Sequence, residues 1–226
     1  MKKLFLLMSL SLLASAAKAQ LTDWVPGSAS QLEYVILPDA KDNIVGSPYY
    51  EDEFTPGVIM MEGKESLRAY LRYNVVDDQV EVRVAPNAES TYVLPKDQSI
   101  SYKLKDYVYK LRRVTTDEGI GIEGYFMDYY SGEKASFYAK PTARVIRPRR
   151  ESTAFNDRTS LRRDVFIDYY LVLENRPLIH VKLKEKDFRK VLEDAPGMKE
   201  YFSENKIKDE ADVVRMLRYY EAQQQA

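Results

Sequence analysis

Residues 67–84 read LRAYLRYNVVDDQVEVRV, and their alternation sets the fold class. Leu67, Ala69, Leu71, Tyr73 and Val75 fall on one side of an extended chain, and Arg68, Tyr70, Arg72 and Asn74 on the other. A period of two marks a strand with one buried face, because successive side chains of a strand point to opposite sides. Asp77-Asp78-Gln79 turns the chain, and Val80, Val82 and Val84 then alternate with Glu81 and Arg83, so the stretch predicts a β-hairpin.

The same pattern continues in both directions. Leu32–Leu37 predicts a first strand, and GSPYYEDEFTPG (Gly46–Gly57) leads into another at Val58–Met61. Tyr92–Leu94 stops at Pro95, and Ile100–Val114 predicts two strands around Lys105-Asp106. Ile122–Tyr130 and Lys134–Ile146 flank Ser131-Gly132, while Val165–Leu173 and Leu178–Leu183 flank Glu174-Asn175-Arg176-Pro177. Short connections predict antiparallel neighbours, since parallel pairing needs long crossovers. After Leu183 the period becomes helical. Phe188, Val191, Leu192 and Ala195 run up to a break at Pro196-Gly197; Met198, Tyr201 and Phe202 follow; Val213, Val214, Leu217 and Tyr220 come last, with Asp209 as N-cap. The fold class predicted is α+β. It is mainly an antiparallel β-meander of about eight to ten strands, a curved sheet or partly closed barrel, over residues 20–183. Residues 184–226 form a C-terminal segment of two to three short helices packed on or beside it.

The first residues, MKKLFLLMSLSLLASAAKAQ, have the parts of an export signal. Lys2 and Lys3 are a charged start, Leu4–Leu13 an apolar core too short to span a bilayer, and Ala17-Lys18-Ala19 a cleavage signature. Cleavage before Gln20 makes 1–19 a signal peptide and leaves 207 of the 226 residues, with no transmembrane span. The expected location is the periplasm or cell surface. With no cysteine in the chain, a disulfide framework, a thiolate metal site and a cysteine lipid anchor are all excluded. The net charge of −1 falls to −4 with the loss of Lys2, Lys3 and Lys18, which predicts no strong global attraction to nucleic acid or anionic membrane. Tyrosine outnumbers the other aromatics, 18 against 8 Phe and 1 Trp. It suits strands and half-wet surfaces, and stacking on sugar rings is the sharper functional reading.

Few motifs point to chemistry. Gly119–Gly124 matches G-x-G-x-x-G, but a strand-like run follows where a phosphate-binding helix is required, so it reads as a glycine-rich turn. His180, the single histidine, shares a strand face with Lys182, opposite Ile179, Val181 and Leu183, and is expected to face solvent or a sheet edge. Glu51 and Glu53 stand about 7 Å apart on an extended chain, within the range of inverting glycosidases, yet any E-x-E in a strand does the same. The reading adopted for Glu51, Asp52 and Glu53 is a solvated acidic segment, with no catalytic, metal or cofactor role. Pro48 and Pro56 pin it, and Gly57 turns the chain into the next strand. The segment Arg144–Arg163 holds seven arginines against Glu151 and Asp157, and its Pro148, Ser152, Thr153, Asn156 and Ser160 predict a long loop. Arg149, Arg150, Arg158, Arg162 and Arg163 are the candidate partner-binding residues, suited to phosphate or carboxylate groups of an anionic glycan or envelope protein.

The motifs GSPYYEDEFTPG, LRYNVVDDQVEV, DYYLVLE and FSENKIKDEADVVRMLRYYE resemble those of an uncharacterised family of exported proteins of Bacteroidota. The family pattern has a G-S-P-Y…E-F-x-P-G opening and a closing helix ending near Y-Y-N; this chain has Glu221 at the last position. The resemblance implies an exported envelope protein and no particular activity. The sequence therefore predicts a non-enzymatic exported protein with a binding or structural role. The alternative is a carboxylate-dependent enzyme acting on glycans, which needs converging acids among Glu51, Asp52, Glu53, Asp77 and Asp78.

Overall fold

A computed structural model of the chain describes residues 44–146, 161–174 and 176–224. The predicted signal peptide and the predicted strand Leu32–Leu37 lie outside the described residues. In order, the elements are β1 (Ile44–Val45), β2 (Thr55–Met61), β3 (Lys64–Asn74), β4 (Gln79–Arg83), β5 (Tyr92–Val93), β6 (Ile100–Lys103), β7 (Val108–Thr115), β8 (Gly121–Ser131), β9 (Ala135–Ile146), β10 (Leu161–Leu173) and β11 (Ile179–Val181). Helices α1 (Glu185–Leu192), α2 (Met198–Glu204) and α3 (Glu210–Gln223) follow. Among the described residues no helix is long and apolar enough to cross a membrane.

The eleven strands form one sheet in the order β1-β10-β9-β8-β7-β6-β2-β3-β4-β5, with β11 also on β10. The α+β class holds, with three corrections of detail. There is one strand more than the predicted upper number. The meander is interrupted, since β2 pairs with β6 (Ile59 opposite Tyr102) and so joins two meanders, β2–β5 and β6–β11. One pair is parallel, with Ile44 and Val45 beside Leu161 and Arg162. The chain between them is long enough to serve as the crossover that parallel strands need.

The ladder does not close, but the sheet curls tightly. Tyr73 on β3 and Tyr125 on β8 are separated by β2, β6 and β7, about 19 Å across a flat sheet at ~4.8 Å per strand. Their ring centroids are 6.5 Å apart. The link from β1 to β3 requires the same curvature. The carbonyl of Arg163 on β10 lies so close to Gly46 (φ 113°) that a Cβ there would stand 2.3 Å from it. Two residues later, Pro48 accepts a hydrogen bond from Val75 N–H at 2.8 Å. Two residues span about 7 Å at most.

The inner face of the curl is filled. Ile59, Leu71, Val82, Tyr102, Tyr109 and Met127 are buried together there with Tyr73 and Tyr125. The helices cover the adjoining part of the sheet, where Phe137, Leu171 and Val181 meet Phe188, Leu192, Phe202 and Leu217. Asp209 caps α3 as predicted, accepting from Asp212 N–H at 2.9 Å.

Two carboxylates lock this arrangement. Asp78 (φ 51°), in the β3–β4 turn, reaches the edge that β8 exposes where β9 has left it. It accepts from the Tyr73 hydroxyl at 2.5 Å, Tyr125 N–H at 3.1 Å, Lys96 Nζ at 2.8 Å and Lys140 Nζ at 3.2 Å. Burial opposes its charge, but Lys96 and the other donors outweigh burial and hold its carboxyl below the usual range. Gly124 (φ 134°) makes room for it, since a Cβ there would lie 2.4 Å from the carboxylate. Glu221, near the end of α3, accepts from Lys134 N–H at 2.9 Å, Ala135 N–H at 3.0 Å and the Tyr130 hydroxyl at 2.8 Å, which pins the helix to the β8–β9 turn.

Candidate functional site

The opening motif folds over a buried ion pair. Arg72 donates to Glu81 at 2.7 Å from Nη2 and 3.2 Å from Nε, and Glu81 is only 1% exposed. The Arg72 guanidinium lies between two rings of the motif, its Cζ 3.6 Å from the centroid of Tyr49 and 4.3 Å from that of Phe54. Arg83 stacks on Phe54 at 4.1 Å. Cation–π contact and ion pairing reinforce each other once water is excluded.

Glu51, Asp52 and Glu53 point outward and are exposed. Asp52 accepts from the Ser47 hydroxyl, and Glu51 from that of Thr55 at 3.2 Å. Tyr50, Glu51, Glu53, Arg72, Tyr73 and Tyr107 border a cavity of about 10 Å³, room for no more than one water. Among the described residues no group of three or more His, Asp or Glu is placed to hold a metal ion. Thr55 is extended, as a residue before proline prefers, and Pro56 sits in β2 before β6 joins its other side, where a missing N–H is harmless. The role assigned to Gly57 is corrected. It makes no turn but lies inside β2, where a Cβ would stand 2.8 Å from the Lys103 carbonyl and 2.5 Å from Leu71 Cδ1. Its smallness lets β3 and β6 close on β2.

Beyond the motif, half-buried tyrosines line the inner face. Tyr107 and Tyr129 have ring centroids 5.4 Å apart, Tyr129 lies 5.8 Å from Phe137, and Phe137 stacks on Tyr169 at 5.7 Å. The Tyr169 hydroxyl donates to Glu210 at 2.5 Å. Burial is the main reason that the hydroxyls of Tyr50, Tyr107, Tyr129 and Tyr169 titrate above the ordinary value, and Glu51 or Glu210 raises each further. At neutral pH these groups are hydrogen-bond donors and apolar surface, not bases. The tyrosines thus mostly fill the curl.

His180 is exposed as expected, edge-on to Tyr170 at 5.6 Å, with Nε2 3.5 Å from the Asp168 carboxylate. The glycine motif is a turn at Gly119 (φ 81°) that feeds β8, not a helix.

The arginine segment differs from its reading as a loop only at its far end, since Arg144 falls in the predicted strand Lys134–Ile146, residues 147–160 lie outside the described residues, and Arg162 and Arg163 extend β10 ahead of its predicted start at Val165. Arg149, Arg150 and Arg158 lie outside the described residues. Arg144, Arg162 and Arg163 stand on strands, because the β9–β10 ladder continues to Ile146 opposite Arg162. Since β8 pairs with β9 only as far as Ala139, the outer ends of β9 and β10 run on without β8 beside them as a two-stranded ribbon, joined at its end by β1. Arg162 pairs with Asp164 at 2.6 Å, while Arg144 lies 3.5 Å from Asp168 and 5.0 Å from the Phe166 ring centroid. Exposed apolar side chains stand among the arginines: Val45 at 60%, Val145 at 51%, Ile146 at 40% and Phe166 at 38%. Cross-strand partners share a face, so Val45, Arg162 and Ile146 form a row on one side, and Arg163 and Val145 pair on the other.

Sequence reasoning missed Arg72 and Glu81 altogether, and the anchoring roles of Asp78 and Glu221. For Glu221 the signal was the departure from the Y-Y-N ending, which carries the carboxylate that anchors α3. Scans of the chain against protein-family models, curated proteins and solved structures find no match.

Proposed function

We propose that the chain is a non-enzymatic exported protein of the cell envelope, periplasmic or on the cell surface, that binds a partner through the outer ribbon of β9 and β10. The observation that carries this reading is the company of Val45, Val145, Ile146 and Phe166 with Arg144, Arg162 and Arg163 at one end of the sheet. The other large apolar side chains exposed among the described residues, such as Met61, Val76 and Ile120, are scattered at turns and edges. Exposed apolar side chains among cations, here Val45, Ile146 and Phe166 with Arg144 and Arg162 on one side of the ribbon and Val145 with Arg163 on the other, mark an interaction site. The signal-like start and the resemblance to exported proteins of Bacteroidota support the compartment.

Binding is favoured over carboxylate chemistry on glycans because the acids in question are engaged separately. Asp77 accepts from Asn74 Nδ2 at 2.8 Å, Asp78 holds the β3–β4 turn to β8, and Asp52 and Glu51 take hydroxyls of their own motif. The test is a photocrosslinking residue at Val145 or Ile146 in native cells, followed by mass spectrometry. Adducts to an envelope component, on a chain lacking residues 1–19, are expected. Adducts no more abundant than from a control position such as Val76 would refute the proposal.

A further inference from the structure

We infer that the outer β9–β10 ribbon docks on an anionic lipid surface, through phosphate groups taken by its arginines and apolar side chains seated among the lipid heads. This rests on the reading that the ribbon is the partner-binding element. Two chemistries stand side by side there. The guanidinium groups of Arg144 and Arg162 are forked donors matched to phosphate oxygens. Val45, Val145 and Ile146 are apolar side chains left largely exposed beside them. A soluble polyanion would use the cations and leave the apolar groups in water, and an uncharged apolar partner would do the reverse. The face of a bilayer carries phosphate next to hydrocarbon, so a single partner satisfies both. Arginine tolerates that boundary, because its stem lies along apolar surface while its head stays with the phosphates.

The negative net charge of the whole chain does not oppose this. Charge is felt over a Debye length of about 8 Å at physiological salt. On the strands at the ribbon's end, residues 144–146 and 161–164 hold three arginines and one acid, Asp164. Asp164 and Asp168 weaken the pull of Arg162 and Arg144 but also hold their side chains in place. Among the described residues β8 does not pair with β9 beyond Ala139.

The test is flotation of the mature protein with vesicles of phosphatidylglycerol and phosphatidylcholine, against phosphatidylcholine alone. Flotation with the anionic vesicles only, weakening as salt rises, is expected. Near such a surface each basic residue is worth roughly fivefold in partitioning. With the discount for the ion pairs, R144Q/R162Q/R163Q should lower partitioning about tenfold or more, and R144K/R162K/R163K much less. V145S/I146S should also lower it while leaving the salt dependence in place. Parent-like melting shows that each variant is folded, and the lysine variant supplies the comparison should the glutamine variant melt early. Partitioning unchanged in both the glutamine and serine variants overturns the inference. So does failure of the parent to float. In that case crosslinks from Val145 or Ile146 to an envelope protein leave the ribbon as the binding element, whereas their absence overturns that reading too.

Discussion

Replacing Glu221 with Gln tests whether a single charge fixes α3 to the sheet. The variant keeps the length of the side chain and one carbonyl oxygen. In the parent, Lys134 N–H and Ala135 N–H both donate to Oε1, at 2.9 and 3.0 Å, and the Tyr130 hydroxyl donates to Oε2 at 2.8 Å. A glutamine carbonyl can still accept the two N–H groups, and its NH2 can donate to Tyr130. What disappears is the charge on the acceptor. Hydrogen bonds to charged groups contribute about 1.5–3 kcal/mol and neutral ones about 0.5–1.5. With partial exposure to water, the expected loss is roughly 1–2 kcal/mol, or about 2–8 °C in melting temperature for a domain of this size. Acid should remove the difference. Burial opposes the charge on Glu221, but the N–H groups of Lys134 and Ala135 and the Tyr130 hydroxyl hold its carboxyl below the ordinary value of 4.5. A carboxyl depressed in the folded state stabilises fully above its unfolded value, and the contribution is lost as pH falls through the folded one. Thermal melts followed by circular dichroism should therefore separate parent and E221Q at neutral pH and bring them together as pH drops below about 4.5. Coincident melts at neutral pH, or a gap that persists in acid, would refute the anchoring role.

Arg72→Ala strands Glu81 without its partner and should lower stability by about 3 kcal/mol in urea denaturation, the scale of a broken buried pair; a change below 1 kcal/mol, roughly the worth of a surface pair, would mean that water reaches Glu81. Leu217→Ala, at a position with 0% exposure, should cost roughly 2–5 kcal/mol, and an unchanged denaturation midpoint would show α3 to be loosely held. Converting Glu51, Asp52 and Glu53 together to their amides should leave the melting temperature nearly unchanged with or without calcium, since surface substitutions stay within about 0.5 kcal/mol. A calcium-dependent rise in the parent alone would make these acids ligands.

The hairpin of β3 and β4 was legible because Leu67–Val84 carries its own alternation, and α1 to α3 because their apolar residues recur at helical spacing. Contacts made across the curl were not. A two-residue strand such as β1 has no period, and its partner at Leu161–Arg162 is chosen by how the sheet bends. The pairing of β2 with β6 is equally silent, since Val58–Met61 reads the same whichever neighbour it takes. Gly57 looked like a turn residue because glycine signals turns; its actual constraint, the approach of Leu71 and Lys103, comes from distant strands. Long-range partners were silent at both candidate sites. Arg162 and Arg163 were read as loop with the polar run before them, although the ladder to β9 makes them strand. Asp78, read as a turn residue and candidate catalytic acid, and Glu221, read only as a departure in the closing helix, take donors from segments far along the chain.

The pairing of β1 with β10 also constrains the order in which the molecule is put together. Ile44 and Val45 meet partners more than a hundred residues further on. Closing so long a loop has an entropic cost that two ladder residues cannot offset before β9 and β10 have formed. A chain made from its N-terminus can dock Pro48–Phe54 on β3 and β4 once these emerge, but must hold Ile44 and Val45 idle until β10 arrives. Until β3 and β4 emerge, Tyr49, Tyr50 and Phe54 are an exposed apolar segment with unpaired backbone, and Val45 stays so until β10 arrives. Pro48 and Pro56 withhold N–H groups from any foreign strand, and Glu51, Asp52 and Glu53 repel it, the two devices by which exposed strands avoid aggregation. The acids of the opening motif thus act before the native structure exists, protecting a segment that emerges ahead of the strands it packs on.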